Sequence, residues 1–94
     1  MRHINKDRFT KLVDKGAVLI DMRNAVAFRD GHIKGAKNFT LRQFTNHLMT
    51  IKDKSTVVIV YGDTFSEDDL KYALNYSNQL GFEKVYTADY HSIK

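Results

Sequence analysis

The sequence predicts an α/β fold: a mostly parallel central sheet flanked by helices on both faces, in three layers. Two continuous apolar runs, at 17–20 and 57–61, have the composition of strands that are buried on both faces. Segments whose apolar residues recur with helical spacing alternate with these runs along the chain. Strands that alternate with helices at this spacing are typical of parallel sheets, because each crossover carries a helix.

The first half of the chain begins with two helices separated by a strand. Asn5 is a preferred N-cap residue, and the helix after it ends at Gly16. Its apolar residues fall on one face: Phe9, Leu12 and Val13. After the strand at 17–20, a short helix over 25–30 ends at Gly31. A left-handed backbone is predicted at Gly31, because only glycine adopts that conformation cheaply at a helix end.

The second half holds two longer helices and two strands. A brief extended piece at 37–39 precedes a helix with apolar spacings of three, four and three: Leu41, Phe44, Leu48 and Ile51. The strand at 56–61 follows. The last helix ends at Gly81 and has one largely apolar face: Leu70, Ala73, Leu74, Ser77 and Leu80. A strand over 84–88 completes the pattern, and the whole of 1–94 is predicted to form a single domain.

Composition excludes several kinds of chemistry. Cysteine is absent, so the chain can form no disulfide, thiolate metal site or cysteine nucleophile. The histidines stand far apart, without the spacing of a helical zinc site: His3, His32, His47 and His91. We expect no metal and no cofactor. No apolar run approaches the roughly 18 residues of a membrane span, and the polar N-terminus lacks a signal-peptide core, so a cytoplasmic location without membrane contact is expected.

The net charge of +4 is unevenly distributed. Residues 1–54 hold 12 Lys/Arg and 5 Asp/Glu, a net charge of +7, whereas residues 55–94 hold 3 and 6, a net charge of −3. A basic half can attract acidic partners. The sequence nevertheless lacks a motif that combines stacking aromatics with basic residues, so a solvated surface is preferred over nucleic-acid binding.

Polar residues follow two of the predicted strands. Ligands of parallel sheets bind beyond the carboxyl ends of the strands. The segments Asp21–Arg23 and Gly62–Ser66 occupy such positions. They are the candidate functional segments.

Two motifs, in order, resemble those of rhodanese-like domains. Residues 19–39, LIDMRNAVAFRDGHIKGAKNF, resemble a family pattern of L-I-D-V-R, a short helix, and G-H-I-P-G-A-x-N, with Lys34 in place of the customary proline. The stretch VVIVYG at 57–62 is similar to the strand that leads to the family's active site. LGFEKVY at 80–86 is similar to its last helix end and last strand.

The matching residues are interpreted as scaffold rather than as catalytic groups. Asp21 and Arg23 stand beside a buried strand end, where they can form a charge-assisted pair and bond the loop backbone. Gly31, His32 and Gly35 match the second motif. These residues are expected to shape the domain.

The resemblance implies sulfur transfer by a cysteine that carries sulfane sulfur as a persulfide, because the thiolate is the strong nucleophile. The matching position is Gly62, which has no side chain. The implied site is therefore a degenerate active-site loop: Gly62, Asp63, Thr64, Phe65, Ser66 and Glu67. Enzymatic activity is uncertain and is the less favoured interpretation.

The loop is acidic and has a capping pattern. Four carboxylates lie in the loop and the first helical turn, where they would repel an anionic donor: Asp63, Glu67, Asp68 and Asp69. The segment from Thr64 to Glu67 resembles a capping box, and Ser66 with Asp69 is the alternative frame. Phe65 is either tucked inward or exposed as a contact, and the inward position is preferred.

The chain lacks the Gly-Gly pair and Trp-bearing helix that usually follow the family's last strand. Tyr90 and Ile93 either cover the core edge instead or leave an apolar patch. The leading hypothesis is a non-catalytic binding or regulatory module with an unidentified protein partner. A rim that includes Arg23, Lys34 and Phe65 is one candidate docking surface. The alternatives are sulfur transfer or phosphate hydrolysis by an unrecognised route, and binding of an acidic partner or nucleic acid through the basic half.

Overall fold

A computed structural model describes residues 3–94 and contains a parallel sheet in the order β2-β1-β3-β4. The strands of this part of the chain are β1 (Val18–Asp21), β2 (Lys37–Asn38), β3 (Val58–Gly62) and β4 (Val85–Asp89). All three pairings are parallel. The predicted α/β class and parallel sheet are confirmed, with strand bounds shifted by one or two residues.

Helices connect the strands and close the two faces of the sheet. They are α1 (Lys6–Asp14), α2 (Ala25–Asp30), α3 (Leu41–Thr50), α4 (Glu67–Gln79) and α5 (Tyr90–Ile93), with a 3₁₀ turn at Thr64–Ser66 before α4. Within residues 3–94, none of the helices combines the length and apolar character that a bilayer crossing requires.

The central strands β1 and β3 are buried on both faces because they separate two apolar clusters. Ile20, Val58 and Val60 point to the side covered by α3 and α4, where Phe44 and Leu48 are fully buried. The alternate strand residues point to the side covered by α1 and α5: Leu19, Ile59 and Tyr61. Side chains alternate between the faces with a period of two, which explains the continuous apolar runs in the sequence. The molecule has the predicted three layers.

Side-chain caps define the starts of two helices. The side chain of Asn5 accepts a hydrogen bond from the backbone N–H of Arg8 at 3.0 Å, which confirms the predicted N-cap of α1. A capping box begins α3. There Thr40 Oγ1 accepts from Gln43 N at 3.2 Å, while Gln43 Oε1 accepts from Thr40 N at 2.9 Å.

The outer edge of β4 is covered by the chain just before α1. Ile4 N donates to the carbonyl oxygen of Thr87 at 2.9 Å. His3 Nδ1 lies 2.8 Å from Thr87 Oγ1, and His3 pairs with Thr87 as an isolated parallel bridge.

The short helix α5 covers the core edge after β4. Asp89 starts it by accepting from His91 N at 2.9 Å. Ile93 is only 3% exposed, and the ring of Tyr90 stacks on Tyr61 with 5.8 Å between centroids. Of the two predicted outcomes for Tyr90 and Ile93, the structure has the covered edge, and no apolar patch remains there.

The prediction of a left-handed backbone at Gly31 is wrong. Gly31 does end α2, but its φ of 169° and ψ of 135° are extended angles that any residue adopts. The hydroxyl of Tyr90 lies so near that a Cβ at Gly31 would be 3.3 Å from it. Left-handed angles occur instead at Gly16, Gly35 and Gly81, with φ of 90°, 89° and 97°.

We expect Gly81→Ala to destabilise the protein more than Gly31→Ala. A Cβ forced into the left-handed region costs about 1–2 kcal/mol, whereas Gly31 has an extended backbone and needs only a small shift of the Tyr90 hydroxyl. At about 4–8 °C per kcal/mol for a domain of this size, the difference is measurable by thermal unfolding. Equal losses of Tm in the two variants would contradict this assignment of backbone strain.

Candidate functional site

The two predicted segments meet at the carboxyl ends of the strands. They line one groove of about 370 Å³, which we call the strand-end groove. Its walls come from 22–25 and 38–41, together with residues of the loop before α4, including Asp63, Phe65 and Ser66. A third wall, which the sequence analysis did not single out, therefore comes from the end of β2 and the start of α3.

The buried ion pair of Asp21 and Arg23 holds the first wall in place. Asp21 is fully buried, and its carboxylate accepts hydrogen bonds from the backbone N–H of Arg23 at 2.7 Å and from Arg23 Nη2 at 2.8 Å. The same Nη2 donates to the carbonyl oxygen of Gly31 at 2.6 Å. The guanidinium carbon lies 3.7 Å from the ring centroid of Tyr90. The predicted charge-assisted pair is confirmed.

The pKa values of two groups in this cluster are raised. Burial alone would lower the pKa of Arg23, but the hydrogen bonds and negative charge of Asp21 outweigh it, and the net shift is upward. Burial also raises the pKa of the Tyr61 phenol well above its ordinary value, although the hydrogen bond from Ile33 N at 3.2 Å acts in the opposite direction. Both shifts move the titration of these groups further above neutral pH.

The second motif also contributes to the structure around Asp21 and Arg23. The amide of Asn38 donates to the carbonyl oxygens of Asp21 and Arg23 at 3.0 and 2.8 Å. His32 lies outside the groove, stacked on Phe28 with 3.7 Å between centroids, and its Nδ1 is 2.8 Å from the carbonyl oxygen of Phe28. Gly35 supplies a left-handed turn. Each of these residues has a structural partner or conformation.

Ser66 fills the space beside Gly62. Gly62 ends β3, and a Cβ at this position would overlap the Cβ of Ser66 and lie 2.9 Å from its Oγ. Ser66 is 5% exposed, and its Oγ lies 3.2 Å from Asp63 Oδ1 and 3.4 Å from the carbonyl oxygen of Met22. The loop therefore packs against the end of β3 with no room for a side chain at position 62.

Neither predicted capping box forms, although Ser66 does occupy the N-cap position of α4. Asp63 is the capping residue: its Oδ1 accepts from Phe65 N at 2.9 Å and starts the 3₁₀ turn. Ser66 makes no side-chain cap bond to α4. Its hydroxyl is directed to Met22 and Asp63 instead, because the turn carries Ser66 into the interior.

Phe65 is the most exposed large apolar side chain in this region. The preferred inward position is wrong, since 98% of the residue is accessible. The 3₁₀ turn buries Ser66 and thereby directs its neighbour outward. Phe65 and Asp69 both line the strand-end groove, so an aromatic ring and a carboxylate stand together on one rim.

The buried polar groups of the site are hydrogen-bonded within the protein. Among residues 3–94, every buried side-chain nitrogen and oxygen atom has a hydrogen-bond partner, so the buried part of the site is complete as it stands. No three His, Asp or Glu side chains in the same span are grouped to hold a metal ion.

The third wall of the strand-end groove, at 38–41, could have been predicted from the sequence. Thr40 and Gln43 have the Thr-x-x-Gln spacing of a capping box, which marks the start of a helix at this wall.

Comparison with known proteins gives a consistent result. The model of the rhodanese-like domain family matches residues 5–90. Thiosulfate sulfurtransferase GlpE of Pseudomonas putida is 32% identical over 76 residues, which cover 80% of this chain and 66% of that protein. GlpE of Shewanella oneidensis is 26% identical over 90 residues, covering 94% and 85%. The chain thus spans about two thirds of the length of the Pseudomonas relative.

Solved structures share the fold. Human single-domain sulfurtransferase TSTD1 has a TM-score of 0.74 at 15% identity, covering 100% of this chain and 92% of that one. The Alr3790 protein from Anabaena sp. has a TM-score of 0.71 at 23% identity, covering 90% and 69%.

We expect Asp21→Asn to cost about 3–5 kcal/mol, because it leaves the Arg23 guanidinium buried without its counter-charge. The measurement is urea unfolding at neutral pH. Asp30→Asn is the matched control, because the Asp30 side chain is 72% exposed and its nearest cation, on Arg29, is 4.0 Å away. Comparable losses from the two substitutions would show that the buried pair does not hold the site together.

Proposed function

Because the chain belongs to the rhodanese-like domain family, we propose that it is a non-catalytic member that binds a protein partner at its strand ends. The observation that carries this proposal is the filled space at Gly62. The family's persulfide would stand there, and the chain has neither the thiol nor the room for one. The scaffold around that position is retained, and the strand-end groove is open.

Sulfur transfer by another residue has no support in the geometry. The chain contains no cysteine, and a hydroxyl–sulfur adduct is not a stable carrier. Of the two hydroxyls in the loop, that of Ser66 is buried and hydrogen-bonded, while Thr64 is exposed. Phosphate hydrolysis by the related phosphatases rests on the same missing cysteine.

Binding is supported by the rim of the groove. A fully exposed aromatic side chain gains much apolar contact when a partner covers it, and aromatic residues are frequent among the dominant contacts of interfaces. Phe65 is such a residue, beside the open strand-end groove. Arg23 does not share this role, because it is bonded to Asp21 and covered by Tyr90.

Binding of an acidic partner through the basic half has less support. The cations of residues 1–54 are divided between the two faces of the sheet: Lys6 and Lys11 belong to α1, whereas Arg42 belongs to α3 on the opposite face. A charged patch that follows a nucleic-acid backbone would need them on one side.

We expect no thiosulfate sulfurtransferase turnover above background, and Gly62→Cys alone should restore none, because the new side chain overlaps Ser66. Adding Ser66→Gly removes that overlap. The double variant should therefore have a higher Tm than Gly62→Cys and should form more persulfide with thiosulfate, measured by intact-protein mass spectrometry. If Gly62→Cys alone is as stable as wild type and accepts sulfur, the space at position 62 is not closed.

The binding proposal is tested with Phe65→Ala. A partner is first identified by affinity capture from the native cell with mass spectrometry, and its affinity for the purified protein is then measured. We expect Phe65→Ala to weaken that affinity at least tenfold with an unchanged Tm, as for an aromatic anchor. Met49→Ala on α3 is the control, since Met49 is also largely exposed, at 69%, but lies away from the groove. Equal affinities of Phe65→Ala and wild type would contradict the proposal.

A further inference from the structure

A second groove lies on the other side of α4, between that helix and β4. We call it the α4–β4 groove, and its volume is about 550 Å³. Apolar side chains line its interior: Leu70, Leu74 and Ala88. Carboxylates stand around them: Asp63, Glu67 and Asp89. The volume is within the range of about 300–1,000 Å³ that is usual for ligand sites.

The first turn of α4 separates this groove from the strand-end groove. Three successive carboxylates of this turn lie on different sides of the helix. Glu67 lines the α4–β4 groove, Asp69 lines the strand-end groove, and Asp68 lines neither. Asp63 borders both. The two grooves can therefore be tested independently with side chains that are adjacent in sequence and equal in charge.

Among residues 3–94, the lining of the α4–β4 groove has more carboxylates than basic side chains. Its basic residues are Lys71 and His3, and Lys71 Nζ is 3.4 Å from Glu67 Oε1. In the part of the chain from residue 3 onward, no Lys or Arg nitrogen lies within 4.0 Å of the carboxylate of Asp63 or Asp89. Each of these two carboxylates caps a short turn or helix with one oxygen.

An apolar interior with an acidic border selects for a ligand that is both aliphatic and cationic. Lys and Arg have this character, since their methylene stems pack on apolar surface while the charged head stays in water. A free polyamine also has methylene segments, but a cation stands at both ends of each, so it covers Leu70 and Leu74 less fully than an uncharged aliphatic side chain. A peptide that places Lys or Arg beside an aliphatic residue satisfies both.

We propose that the α4–β4 groove binds a short linear segment of a partner protein in which Lys or Arg adjoins an aliphatic residue. The aliphatic side chain packs on Leu70 and Leu74, and the cation lies between Glu67 and Asp89. The inference rests on the proposed function of protein binding, for which it names the chemistry of the partner. It uses a different surface from Phe65.

The test uses a displayed library of random linear peptides selected on the purified full chain. Peptides that pair Lys or Arg with Leu, Ile or Val are expected to be enriched. In ¹⁵N NMR titrations, they should perturb the amides of Leu70, Leu74 and Ala88 more than those of Asn24 and Asn38 in the strand-end groove. Their affinity should fall with added salt and should be lost when the basic residues are replaced by glutamine.

Three charge-removing variants locate the site. Glu67→Gln is expected to weaken peptide binding about two- to fivefold, the range for one exposed charge pair, whereas Asp68→Asn and Asp69→Asn, equal in charge change, have smaller effects. Phe65→Ala should leave the peptide affinity unchanged. If Phe65→Ala lowers capture of the cellular partner but Glu67→Gln does not alter peptide binding, the further inference fails while the proposed function stands.

Other outcomes overturn the inference directly. These are the absence of enrichment, enrichment of peptides without basic residues, or perturbations centred on the strand-end groove. If spermine binds as tightly as the selected peptides, positive charge alone determines the affinity of the groove for its ligand. A salt-sensitive dimer of this chain, detected by sedimentation with protection of the Leu70 and Leu74 amides, would assign the groove to a second copy instead.

Discussion

The buried pair of Asp21 and Arg23 is the interaction on which the strand ends depend. The carboxylate of Asp21 is fully buried, and it accepts hydrogen bonds from the backbone N–H, Nε and Nη2 of Arg23. A buried charge is strongly destabilising when its partner is removed. The same guanidinium bonds the carbonyl of Gly31 and lies under Tyr90. One side chain thus joins the loop after β1, the end of α2 and the start of α5. This ion pair therefore positions three segments of backbone.

Local patterns in the sequence were sufficient for most of the fold. Apolar spacing determines which side of a helix or strand is buried, and it depends only on near neighbours, so the elements and the cap at Asn5 were predictable. The backbone at Gly31 was not, because its extended angles occur where α5 brings Tyr90 across from the far end of the chain. The candidate site shows the same contrast between local patterns and packing of distant segments. Asp21 and Arg23 were found from their strand-end position, whereas the exposure of Phe65 depends on how Ser66 turns inward.

The loop before α4 shows how one missing side chain can alter its neighbours. Ser66 lies against Gly62 at the strand end, and its hydroxyl has hydrogen-bonding partners at Asp63 and Met22. The capping role passes to Asp63, and Phe65 is left on the outside. The exposure of Phe65 and the lack of room for a side chain at position 62 therefore both depend on the packing of Ser66.

The pairing of His3 and Ile4 with β4 limits how this domain can be recognised. Open sheet edges expose unpaired backbone groups, which other chains use to add a strand. Here one edge is already occupied beside Thr87, and the opposite edge strand, β2, has only two residues. Little free backbone remains in the described sheet for a foreign strand or for self-templated aggregation. Contacts at this sheet would therefore depend on side chains, whose substitution leaves the backbone pairing of the strands intact.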